Sequence, residues 1–170
     1  MKPLSPARTA LVLIDLMPRI LGLPLAPRSG AEVLARAGEL ARAFRAAGAP
    51  VVLVRVERPG VPEQPAGSGL AEGLHEEGDL LVVKRTIGAF QGTALHERLA
   101  ELGVDTLVLG GVATNMGVES TARAAADHGY QLVFVEDALT ALTAEEHAAA
   151  VSLDFPRFGE VVAAAEVEFG

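Results

Sequence analysis

The chain contains no cysteine among its 170 residues. That absence excludes disulfides, thiolate metal sites and thiol nucleophiles together. It also lacks any apolar run near the roughly 18 residues needed to span a bilayer. The opening "MKPLSPARTALVLIDL" carries Asp15 inside a short apolar run and has no small-residue cleavage site, so a secretory signal is not expected and a cytoplasmic location is. Excess basic charge is missing as well: the formal net charge is -8. Nucleic acid and anionic membranes attract clustered Lys and Arg, so a small-molecule partner is expected instead. No H-x-H, D-x-H or H-E-x-x-H pattern occurs, which argues against a metal. The G-x-G-x-x-G and G-x-x-x-x-G-K-[ST] loops of dinucleotide and phosphate sites are also absent. Lysine is scarce, with Lys2 and Lys84 alone among 14 basic residues.

What is present reads as alternating strands and helices. The runs at 9–16, 49–57, 79–85, 105–112 and 130–137 are short, apolar and rich in β-branched residues. Continuous apolarity without alternation marks strands buried on both faces, hence a parallel sheet covered by helices. A last edge strand is expected within 160–167. Helical stretches lie between the strands at 29–48, 92–103, 117–129 and 143–159. Gly48, Gly103 and Gly129 end the first three, and Thr143 with Glu146 forms a capping box at the start of the fourth. The expectation is one α/β domain over residues 1–170, doubly wound, with a mainly parallel sheet and helices on both faces. Ligands of such folds bind at the carboxyl ends of the strands.

Three strand ends therefore carry the functional question. Asp15 closes the first strand, where an unpaired carboxylate would be costly. Lys84 closes another, in a chain that otherwise uses arginine. A structural ion pair and a catalytic acid–cation pair both fit these two residues. The third strand end is "GGVATNMG" (110–117), a Gly-rich turn into a helix, with Thr114 or Asn115 expected as the N-cap. Ser120 and Thr121 read as ordinary helix residues. His96 and His147 read as surface or packed side chains of helices. The Pro- and Gly-rich loop 58–69 is either a lid or a connection, and its Arg58 and Gln64 could meet a carboxylate.

Together, "TALVLIDLMPRI", "VVKRTIGAFQGTAL", "LVLGGVATNMGVESTARAAADHGYQLVFVEDA" and "TAEEHAAAV" resemble, over nearly the whole chain, the isochorismatase-like hydrolases of the cysteine hydrolase superfamily. The resemblance implies a three-layer, Rossmann-like fold, a homo-oligomer and no cofactor. It also implies a triad of aspartate, lysine and cysteine. Asp15 and Lys84 match the first two, while Gly117 stands in the cysteine's place. A non-proline cis peptide would join Val112 to Ala113, and the backbone of Val112, Ala113 and Gly117 would orient substrate or an oxyanion.

Without a thiol the covalent amidase route is closed. The resemblance still implies the isochorismatase reaction, hydrolysis of a vinyl ether with the aspartate as proton donor, which family members with glycine in place of cysteine perform. A catalytically silent member that binds a small metabolite or serves in an assembly is the alternative. Two departures bear on the substrate. Ala113 and Asn115 replace an aromatic residue and a histidine of the isochorismatase pattern, and Met17 stands where many relatives have glutamine.

Overall fold

The computed structural model describes residues 2–170. Six strands form one sheet: β1 (Thr9–Ile14), β2 (Val51–Val56), β3 (Leu80–Lys84), β4 (Thr106–Val112), β5 (Gln131–Thr140) and β6 (Gly159–Val162). Every neighbouring pair runs parallel, in the order β3-β2-β1-β4-β5-β6.

Alternation along β1 shows why a central strand had to be apolar along nearly its whole length. Ala10, Val12 and Ile14 point into the core on one face, while Leu11 and Leu13 point into the core on the other. The second core is roofed by α2 (Gly30–Ala46), through Val33, Ala37, Leu40 and Phe44. The first is closed by α3 (Leu95–Glu101) and α4 (Glu119–Asp127), through Leu95, Leu99, Ala122 and Ala125. Helices thus cover both faces, as the pattern implies.

Boundaries follow local chemistry. Ser29 and Glu32 cap α2 reciprocally, and Gly48 turns the chain at its end with φ of 73°. Thr143 and Glu146 cap α5 (Ala144–Ala149) in the same way. The helix expected over 143–159 is broken: a π-helical turn (Ala150–Asp154) and a 3-10 turn (Phe155–Arg157) follow α5, with Pro156 unable to donate into a continuing helix. The edge strand expected in 160–167 is confined to β6, and Ala164–Glu166 forms a 3-10 turn. A short helix α1 (Pro18–Leu21) follows β1 and was not expected.

The sheet order reverses direction at β1 and β4, whose connections leave toward opposite edges. A crevice opens above their carboxyl ends, as in other doubly wound sheets. No described helix is long and apolar enough to cross a membrane.

Candidate active site at the β1–β4 crevice

Asp15 stands directly after β1 and is 5% exposed. Its backbone is left-handed, with φ of 53°, the only described non-glycine residue in that region. Such a conformation is costly away from glycine and collects at functional positions. Lys84, at the end of β3, lies across β2 from Asp15, a distance of two strand spacings or roughly 10 Å that the lysine stem can bridge. Its Nζ donates to Asp15 Oδ2 at 2.8 Å and to the carbonyl of Ile87 at 2.9 Å. Asp15 Oδ1 is buried with no partner. Burial pushes the Asp15 carboxyl above its ordinary value of 3.8, and the opposing pull of the Lys84 ammonium, with a smaller one from Arg19, does not offset it. The carboxyl therefore takes up a proton at a higher pH than an ordinary aspartate does.

Gly117 faces this carboxyl. A Cβ built on it would lie 3.4 Å from Asp15 Oδ2, 3.5 Å from the Ile87 carbonyl and 3.1 Å from Ile14 Cγ2. A small side chain almost fits there, and glycine leaves the space to a ligand. Gly111 has a different reason to be glycine: its φ is 118°, and a Cβ would overlap the Ile14 backbone. That close approach of β4 to β1 brings the following turn over Asp15. The Val112–Ala113 peptide is cis, as the resemblance implies.

Asp15, Lys84, Val112, Ala113 and Gly117 all line one cavity of about 460 Å³. Ile20, Leu23, Ile87, Met116 and Leu142 make its walls largely apolar, and Arg58 and Arg85 also line it. Arg85 is paired with Glu57. The Gln64 side chain clasps the Arg58 backbone, accepting from its N–H at 2.8 Å and donating to its carbonyl at 3.0 Å. Among the described residues the Arg58 guanidinium has no ion-pair partner. A larger hollow of about 620 Å³ lies at the opposite, amino-terminal ends of β1, β4 and β5, away from the acid and its cation. No group of three or more described His, Asp or Glu residues could hold a metal ion.

Two readings of the turn need correction. Neither Thr114 nor Asn115 caps the helix: the chain enters a π-helical turn (Thr114–Val118) from Ala113 without a side-chain cap. Thr114 is instead fully buried, with Oγ1 2.8 Å from Nδ1 of His147. Nor is Thr121 an ordinary helix residue. Its hydroxyl donates to the Gly117 carbonyl at 2.6 Å and accepts from the Ala89 N–H at 3.0 Å. It ties the turn to the loop whose Ile87 carbonyl receives Lys84. A threonine four residues after a site glycine on a buried helix face was the available signal.

Known proteins share this chain's sequence pattern and fold. The isochorismatase domain profile matches residues 9–166. The chain is 40% identical over 189 aligned positions to the uncharacterized isochorismatase family protein YecD of Escherichia coli O157:H7, covering 98% of each. An isochorismatase family protein from Burkholderia thailandensis superposes with a TM-score of 0.89 at 38% identity, over 97% of this chain and 95% of that one. N-carbamoylsarcosine amidase from Thermoplasma acidophilum superposes with a TM-score of 0.83 at 26% identity, over 95% of this chain and 99% of that one. With the profile spanning nearly the whole sequence and the fold shared across that length, the chain belongs to the isochorismatase family of hydrolases, as a member without cysteine.

Proposed function

We propose that the protein hydrolyses a non-amide bond of a small carboxylic acid, such as the vinyl ether of isochorismate, with Asp15 as general acid. The supporting observation is the buried Asp15 carboxyl, with its raised pKa and one unpartnered oxygen, facing a position that carries no nucleophile. Asp15 delivers its proton to the terminal enol carbon, giving an oxocarbenium ion. Water adds to that cation, and the resulting hemiketal collapses to pyruvate and an alcohol. The proton lost by the added water returns the carboxyl to its starting state. Lys84, 2.8 Å away, stabilises the carboxylate that exists between the two transfers. Arg58, which lines the cavity, supplies a cation for the substrate's carboxylate. The Val112, Ala113 and Gly117 backbone orients the substrate, and the missing side chain at 117 leaves room for it.

Pyruvate release from isochorismate is the direct test, with Asp15→Asn as the control. Release by the parent protein that drops at least about a hundredfold in the variant supports the reading, that being the scale of general-acid catalysis. Equal release by both proteins refutes it.

A second reading has its own support. The Lys84 ammonium is enclosed by Asp15 Oδ2 and the carbonyls of Ile87 and Thr86, the environment of a structural ion pair. The protein would then bind a small metabolite without turning it over. Metabolites that raise the melting temperature yet are never consumed favour this binder.

A further inference from the structure

The walls of the Asp15 cavity come from distant parts of the chain. Leu23 follows α1, Leu142 follows β5, and Ala113, Met116 and Gly117 belong to the turn after β4. Leu23, Met116 and Leu142 are each about half exposed, so packing among them does little to hold the walls in place.

Neighbouring hydrogen bonds connect these segments. Ala26 and Ala141 exchange backbone hydrogen bonds of 2.9 and 3.0 Å. The Thr140 hydroxyl donates to the Arg28 carbonyl at 2.6 Å and accepts from the Arg28 N–H at 3.2 Å. The Arg28 guanidinium grips both oxygens of Glu136, at 3.0 and 2.9 Å. Glu136 Oε1 lies 3.0 Å from His147 Nε2, and His147 Nδ1 lies 2.8 Å from Thr114 Oγ1. The Leu23 and Leu142 walls are thereby tied to each other, and one imidazole ties the turn to both.

The protons in this chain can be assigned. Burial raises the Glu136 pKa, but hydrogen bonds from Arg28 and His147 outweigh it, so the group is held below the usual carboxylate range and can only accept. Nε2 of His147 must therefore carry a proton and donate to it. Among the described residues Thr114 Oγ1 has no hydrogen-bond partner except His147, so its own proton goes to Nδ1. Every donor then finds an acceptor, with the imidazole as the Nε2–H tautomer. Thr114 is wholly buried and His147 is 4% exposed. Breaking their bond strands a polar group unless the turn moves.

We propose that His147 is a positioning residue for the Asp15 site: through Thr114 it fixes the Ala113–Gly117 turn against the two walls anchored by Arg28 and Glu136. Its kinetic consequence rests on the functional reading above, whereas its structural consequence does not.

The test separates the two ends of the imidazole. In His147→Asn the shorter amide occupies the place of Nδ1 and keeps the Thr114 contact. In His147→Gln the longer amide reaches the place of Nε2 and keeps the Glu136 contact. Hydrogen exchange of the 113–118 amides is the primary readout. It should speed up about tenfold in His147→Gln and in the near-isosteric Thr114→Val, and stay within about twofold of the parent in His147→Asn and Thr114→Ser. Nitrogen-15 spectra of the parent should show a protonated Nε2 and an unprotonated Nδ1. Equal exchange in the Asn and Gln variants, no change in Thr114→Val, or the opposite tautomer overturns the proposal. Pyruvate release from isochorismate adds a kinetic arm, in which kcat falls in the Gln variant and recovers in the Asn variant. If the parent releases none, the functional reading fails, while the exchange and tautomer measurements still decide the role of His147.

Discussion

Replacing Lys84 by methionine should destabilise the protein in a strongly pH-dependent way. The ammonium lies 2.8 Å from Asp15 Oδ2, and both groups are nearly inaccessible to solvent. At an effective dielectric of about 20 that separation corresponds to an attraction of about 6 kcal/mol, opposed by the desolvation of two ions. The raised pKa of Asp15 shows that its burial outweighs the attraction. Because the folded pKa exceeds the unfolded one, the unfolded chain binds fewer protons in the interval between them. Stability therefore falls as pH rises from about 3.8 through the folded pKa, and levels off above it. Without Lys84 the folded pKa climbs further and that interval lengthens, at about 1.4 kcal/mol per added pH unit. The expected loss in Lys84→Met is about 3 to 5 kcal/mol at pH 8. It should shrink toward about 1 to 2 kcal/mol at pH 5, the remainder left by carbonyls that lost their donor. Urea unfolding followed by circular dichroism suits the measurement, since the chain has no tryptophan and one tyrosine. The double variant Asp15→Asn with Lys84→Met keeps a residue suited to the left-handed φ of 53° and should lose the pH dependence between pH 5 and 8, because no ionisable group is left in the pair. A deficit in Lys84→Met that stays constant from pH 5 to 8 would refute the reasoning.

Two glycines of one segment should respond differently to alanine. Gly117→Ala, whose Cβ meets a yielding Ile14 methyl at 3.1 Å, should cost less than about 1.5 kcal/mol in thermal unfolding while impairing ligand binding. Gly111→Ala places Cβ on the Ile14 backbone at a φ of 118°, so a loss above about 3 kcal/mol, or failure to accumulate folded protein, is expected. Gly117→Cys sets a thiol beside Asp15 and Lys84 as in the cysteine hydrolases of this fold. Ammonia release from small primary amides should then appear, and a folded variant that releases none from a broad panel counts against an intact frame around position 117.

The repeated elements were readable because their causes are local. β1 is buried along its whole length and β2 over Val51–Val54, so both read as short apolar runs, and α2 has its capping box and terminating glycine within or beside its own residues. Asp15 and Lys84 were legible as exceptions, a carboxylate in an apolar strand and a lysine among arginines. Their pairing could be expected, but its geometry could not, since the bond spans 69 positions and depends on β2 lying between their strands. Thr114 shows the limit most clearly. A hydroxyl at a helix start reads as a cap, yet here the hydroxyl is drawn inward by His147, 33 positions away, and the helix opens through a π turn.

Chain chemistry alone determined the absence of a thiol, the acidic balance and the alternation of strand and helix, because composition and short-range periodicity need no partner. Tertiary structure decided which strands adjoin, that Lys84 grips one oxygen of Asp15 and leaves the other bare, and that His147 reaches the turn. Those outcomes depend on burial and on distances between remote side chains, quantities that come into being only when the sheet is assembled.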